Sequence, residues 1–133
     1  MSDSTINAVI AAVIGLMNAT HPFATVTRGA LPTGPGITCE SDPSSFAQLH
    51  MDKNSTVSLG LVLNGKHGNL KTLSDGLNDI HSALTRAKAY PSGESWQIID
   101  ILEYSTPRII GRDDNNKWIM ASSLHIKFYW RGD

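Results

Sequence analysis

Between Trp118 and Trp130 the chain alternates with a period of two. Trp118, Met120, Leu124, Ile126, Phe128 and Trp130 fall on one side, and Ser123, His125 and Lys127 on the other. A β-strand turns successive side chains to opposite faces, so this segment reads as extended, with one face buried and the other wetter. At about 3.3 Å per residue it spans about 40 Å, the breadth of a small domain, and any fold has to be built around it. Upstream, Trp96 to Tyr104 is rich in Ile and aromatics, and Asp113-Asp114-Asn115-Asn116 is a polar turn. The two arms therefore form a long hairpin. Pro107 cannot donate to a ladder, which predicts a bulge or bend near Ser105 to Pro107.

The remaining segments supply what packs on that hairpin. Ile6, Val9, Ile10, Val13, Ile14 and Met17 recur at helical spacing, with Ser4 as candidate N-cap and a stop before His21-Pro22. From Phe23 to Pro43, β-branched residues broken by Pro32, Gly34, Pro35 and Gly36 predict two short strands around a loop. Thr33 to Gly36 is too rich in Pro and Gly for a strand centre and reads as an exposed loop that orders against a neighbour. Val57, Leu59, Leu61 and Leu63 alternate as a strand that Asn64-Gly65 and Gly68-Asn69 end. Leu70, Leu73, Leu77, Ile80, Leu84 and Ala87 predict a second amphipathic helix over about Leu70 to Lys88, capped by Asn69 and ended by Tyr90-Pro91-Ser92-Gly93. Gly76 inside it costs about 1 kcal/mol relative to alanine, which points to close approach by another backbone.

These elements fit one domain over residues 1–133. The expected fold class is α+β: a mainly antiparallel sheet of about four strands with two amphipathic helices packed on one face. Eleven Lys and Arg against twelve Asp and Glu give a net charge of -1, without the basic footprint that nucleic acid or an anionic membrane selects. The charged fraction of 17% is low, which leaves surface for a protein partner. The longest apolar stretch, Ala8 to Met17, is too short to span a bilayer and follows Asp3 rather than a basic leader, so it reads as a packed helix. Cys39 is the only cysteine, which excludes an intrachain disulfide and any cysteine-cluster zinc site.

Sequence motifs for catalysis do not assemble. His21, His50, His67, His81 and His125 are scattered, with no pair at i, i+4 on a helix, so no metal or cofactor site is expected. Gly60 to Lys66 spells G-x-x-x-x-G-K, but His67 replaces the required Ser/Thr and the strand residues Leu61, Val62 and Leu63 fill the interval. No G-x-S-x-G elbow occurs, and Asp113-Asp114 sits in a turn where such residues serve conformation. The sequons at Asn18 and Asn54 and the terminal Arg131-Gly132-Asp133 read as chance matches and a polar tail. The alternative from another class, a small enzymatic or ligand-binding domain, would need His81, His125 and Asp100 to converge in a pocket between sheet and helices.

The stretch from Asn64 to Trp130, about half the chain, carries "LNDIHSAL", "YPSG", "WQIIDI", "TPRIIGRDDNNKW" and "SSLHIKFYWRG". It resembles the tail-terminator, or minor capsid, proteins of phages and prophages of Gram-positive bacteria. The resemblance implies a non-enzymatic virion protein that assembles in the host cytoplasm into a hexameric ring at the head-proximal end of the tail. Its implied partners are the tail tube protein and a head-tail connector or neck protein; a neck, head-closure or tube role is the neighbouring alternative. No catalytic residue, cofactor or metal comes with it, and neither specific nucleic acid nor membrane is an implied partner. By position, the expected contacts are the loop Thr33, Gly34, Pro35 and Gly36, the hairpin tip Arg112, Asp113, Asp114, Asn115, Asn116 and Lys117, and Arg108 nearby. Polar loop tips are also what ordinary solvated turns look like.

Overall fold

A computed structural model describes residues 3–48 and 54–131. In chain order it contains α1 (Asp3–Asn18), β1 (Val26–Thr27), β2 (Gly36–Gln48), β3 (Asn54–His67), α2 (Leu70–Thr85), β4 (Trp96–Arg112) and β5 (Trp118–Arg131). The strands make one sheet in the order β1-β2-β3-β5-β4. Among the described residues, only the two-residue β1 runs parallel to its neighbour, and the other strand pairs are antiparallel. The α+β reading holds, with the fifth strand being the short β1.

The period-two segments become the sheet's centre. Val57, Leu59, Leu61 and Leu63 of β3 and Met120, Leu124, Ile126, Phe128 and Trp130 of β5 are buried against one another and against the helices. α1 contributes Val9, Ile10, Val13 and Met17 to this core, and α2 contributes Leu73, Leu77, Ile80 and Leu84. The alternate residues Ser58, Val62, Ser123, His125 and Tyr129 are half-buried and Lys127 is exposed, so the helices cover one face only. Among the described residues, no helix is long and apolar enough to cross a membrane.

Helix boundaries follow the caps. The Asn69 side chain accepts the backbone N–H of Thr72 at 3.0 Å, as an N-cap should. α2 ends at Thr85 rather than Lys88: Arg86 makes the last helical bond to Ser82 O but leaves helical angles at φ -110° and ψ 7°, and the Tyr90 hydroxyl donates to the free Leu84 O at 2.7 Å. α1 begins at Asp3, which puts Ser4 inside its first turn rather than at the cap. It stops at Asn18, whose side chain both accepts from Val26 N (2.7 Å) and donates to Val26 O (3.3 Å), pinning β1 to the helix end. His21, before the proline, takes a positive φ of 55°, outside right-handed helical space.

Three further expectations are corrected. Asn64-Gly65 does not end β3, which continues to His67. A Cβ on Gly65 would lie 2.7 Å from Leu73 Cδ1, so the glycine is there to let α2 approach the strand, and no turn is needed. Gly76 does mark a close approach, but by the Phe23 ring rather than by a backbone: a Cβ on Gly76 would lie 2.9 Å from Phe23 Cδ1. Finally, β2 is long rather than short: it runs past Pro43 to Gln48, with a register shift between Asp42 and Ala47 where proline cannot serve the ladder.

Candidate functional site

Two segments far apart in sequence meet at one end of the sheet. Gly36 of β2, Lys66 of β3, Ile119 of β5 and Gly111 of β4 are register partners in a row across four strands. The loop before Gly36 and the hairpin tip after Gly111 therefore emerge side by side. Lys66 ties them: its Nζ donates to Pro32 O at 3.0 Å and pairs with Asp113 Oδ2 at 3.2 Å, with both charged side chains largely shielded from solvent. A lysine so placed is a two-armed clamp, holding the loop by a carbonyl and the tip by a carboxylate.

The tip is held from within as well. Asp113 Oδ1 accepts the backbone N–H groups of Lys117 (2.8 Å) and Asn115 (3.0 Å), and Asn116 supplies the left-handed residue at φ 63° that the turn requires. The Lys117 N–H bond and the Lys66 ammonium hold the Asp113 carboxyl below its usual range. The Arg112 guanidinium lies 3.9 Å from the centroid of the Trp118 ring, which fixes the base of the tip. Thr33, Pro35, Arg112, Asp114, Asn115 and Asn116 are left exposed on this platform.

Of the expected contact residues, the structure thus joins Thr33 to Pro35 with Arg112 to Lys117. Gly36 is different: it is the buried first residue of β2, packed beneath Pro32 so closely that a Cβ would lie 2.5 Å from Cγ. Its role is to admit the loop. Arg108 lies outside the platform, paired with Ala121 and lining a separate cleft of about 240 Å³ with Asp42, Tyr104 and His125 on the helix-free face. Lys66, the residue that unites the two loops, drew notice in the sequence only as the end of the G-x-x-x-x-G-K match, and its place in β3 became visible only in the structure.

The histidines lie in separate settings. His125 stacks on Tyr104 with ring centroids 4.3 Å apart on the helix-free face. His81 points the other way from α2, with Nδ1 2.8 Å from Glu103 Oε2 and Nε2 2.7 Å from Ser122 Oγ. A carboxylate only accepts, so Nδ1 carries the proton and Nε2 accepts the Ser122 hydroxyl. Burial lowers the His81 pKa, and Glu103 opposes this only partly. His81 and Asp100 share an open cleft of about 610 Å³ between α2 and β4, but His125 does not join them. The partners Glu103 and Ser122 could not be read from sequence, being 22 and 41 residues from His81. The Cys39 thiol is buried and pushed up to about 12 by desolvation, which leaves it unreactive near neutrality. No group of three His, Cys, Asp or Glu side chains suited to a metal ion gathers among the described residues.

The remaining surface feature is β4, which lies at the edge of the sheet opposite β1. Ile99, Leu102, Tyr104, Ile109 and Ile110, the exposed large hydrophobic side chains among the described residues, all belong to it.

Comparison with known proteins gives a match of fold. No protein-family model matches the chain, and no curated protein matches it in sequence. Among solved structures, the chain is similar to one from the virion of a native gene transfer agent (GTA) particle, with a TM-score of 0.73 at 12% identity. The superposition covers 96% of this chain and 99% of that one, so the two share one architecture from end to end.

Proposed function

We propose that the chain is a structural virion protein of a phage-like particle, which forms a ring at the head-proximal end of the tail tube, stops tube growth and mediates head-tail joining. The observation that carries the reading is the end-to-end likeness of fold to a GTA virion chain. The terminator role within the virion rests on the resemblance of Asn64 to Trp130 to tail-terminator proteins. In this reading the Lys66 platform meets an axial partner, either the tube protein or the connector, and assembly takes place in the host cytoplasm. Function is binding without turnover, and no cofactor takes part.

One arrangement favours a second reading. Ser122, His81 and Glu103 stand in the order of nucleophile, base and orienting acid at 2.7 and 2.8 Å. Ser122 is only 3% exposed, however, and the neighbouring cleft is lined by His81 and Glu103 rather than by the serine. A substrate entering there would meet the acid before the nucleophile. The network supports a structural lock between α2 and the β4-β5 hairpin better than it supports acyl transfer.

The deciding experiment is electron microscopy of the purified chain mixed with its cognate tail tubes. Density capping one end and a fixed tube length are expected. Unaltered tubes without bound density would overturn the terminator role.

A further inference from the structure

We infer that Asp100 and Glu40 close the two free edges of the sheet to strand addition, so that the chain meets other molecules through side chains and does not extend its sheet into theirs. The inference goes beyond the ring reading and holds without it. In the order β1-β2-β3-β5-β4, the sheet is bounded by the outer sides of β4 and of β2, the latter covered by β1 only at Ile37 and Thr38. An uncovered edge offers a row of backbone N–H and C=O groups on which another chain can build.

The chain itself covers the start of β4. Residues 91–93 pair there in antiparallel fashion: the Gly93 N–H donates to Trp96 O at 2.8 Å and the Ile98 N–H to Pro91 O at 3.2 Å. Ile98 thus turns its N–H outward, and the register shift between Ile98 and Asp100 adds one residue. The next outward N–H therefore belongs to Ile101. It is already taken, since it donates to Asp100 Oδ1 at 2.9 Å. The Tyr90 hydroxyl lies beside the same N–H, which opposes the rise that burial and the Asp100 charge cause in the Tyr90 pKa. Beyond Glu103, three more shifts break the pairing of β4 with β5, and Pro107 has no N–H to offer. Residues 100–103 are thus the longest regular run on the uncovered part of β4, and Asp100 stands at its start.

β2 repeats the arrangement. Past the two residues that β1 covers, residues 39–42 pair with β3 without a shift, and the run ends where the register breaks before Ala47 and Pro43 lacks an N–H. Within it the Ser41 N–H donates to Glu40 Oε1 at 3.0 Å; had it faced β3, the ladder would hold it. Arg28 fixes the Glu40 carboxylate from Nε at 3.2 Å and Nη2 at 2.5 Å, and donates in turn to Asn7 Oδ1 of α1 at 2.9 Å. On each edge, then, a carboxylate occupies a donor that an added strand would need and sets side-chain oxygens against that strand's carbonyls.

The test uses the purified chain alone. Asp100→Val/Glu40→Val frees both N–H groups, whereas Asp100→Asn/Glu40→Gln keeps a side-chain acceptor on each. Relative to wild type at equal concentration, the valine pair should associate about tenfold more strongly, the worth of about one hydrogen bond at an edge, with the Ile101 and Ser41 amides newly protected from hydrogen exchange. The amide pair should stay at the wild-type level. In the wild type, the Ile101 and Ser41 amide proton resonances should move as Asp100 and Glu40 are titrated, a check that does not depend on how any variant folds. Static resonances, a valine pair no more associated than wild type, association that leaves both amides unprotected, or an amide pair that associates as strongly as the valine pair would each overturn the inference.

Discussion

The two arms of the C-terminal hairpin have similar lengths and opposite fates. β5 lies between β3 and β4, pairs with β3 residue for residue from Trp118 to Arg131, and buries each inward side chain from Met120 to Trp130. β4 lies at the edge, shifts register four times against β5, and buries only Ile98 and Ile101. Its other large aliphatic residues stay in water. A strand flanked on both sides has its pattern set by the folding of its own chain. In β4 the excess of apolar residues over what this fold buries points to association with another molecule.

That contrast can be broken first at β5. Phe128 is fully buried in the middle of the core, and Phe128→Ala should cost about 3–5 kcal/mol through lost transfer energy and the cavity left behind. Urea denaturation would measure it. A cost below about 1 kcal/mol, the range of surface substitutions and tolerated swaps, would mean that β5 is not the structural centre.

A smaller effect is expected where α2 meets β3. A Gly65→Ala methyl would come within 2.7 Å of Leu73 Cδ1 and 3.2 Å of Leu77 Cδ2, inside a packed core. Overpacking of this kind costs about 1–3 kcal/mol. An unchanged midpoint in the same assay would show that the two leucines can move aside, and that the glycine is not required for the approach of the helix.

The lock between α2 and the hairpin should give the fold a pH dependence. Burial lowers the pKa of His81 in the folded state below its ordinary 6.5, so the unfolded chain binds the proton more readily. The stability from the neutral imidazole is therefore fully present above about pH 6.5 and is lost as pH falls through the folded-state value. His81→Gln keeps hydrogen-bonding capacity without titrating. Between pH 7 and pH 5 the wild type should lose more melting temperature than the variant, and parallel profiles would refute the linkage.

What was legible in the sequence follows the same divide. The helices, the β3 and β5 alternation, the Asn69 cap and the bulge at Ser105 to Pro107 were readable because each is decided by local spacing or by the chemistry of one residue. The reading failed at Asn64-Gly65, where a dipeptide that favours turns serves a tertiary contact with Leu73. The juxtaposition of Pro32 with Asp113 through Lys66 was beyond reach for a related reason, since it depends on the register of three separate strands. The loop and tip were named as contact regions from their polarity and position; that they form one surface is a property of topology. His50 and the Gly132-Asp133 end of the terminal tripeptide lie outside the described residues.

The smallest expected change in stability sharpens the comparison most. Tyr104 is 70% exposed, and its stacking on His125 is its one ring contact among the described residues. Tyr104→Ser should change folding stability by no more than about 0.5 kcal/mol, as surface substitutions do. If β4 is shaped only by its own sheet, the variant should also be indistinguishable from wild type in every assembly assay. If β4 is a contact with another molecule, the same substitution removes a large exposed aromatic from it, and truncation of the few dominant residues of a contact costs about 2 kcal/mol or more of association. Measuring the melting temperature and the fraction of capped tubes on one preparation separates the two cases. A side chain that costs nothing to the monomer and much to the assembly was retained for the assembly.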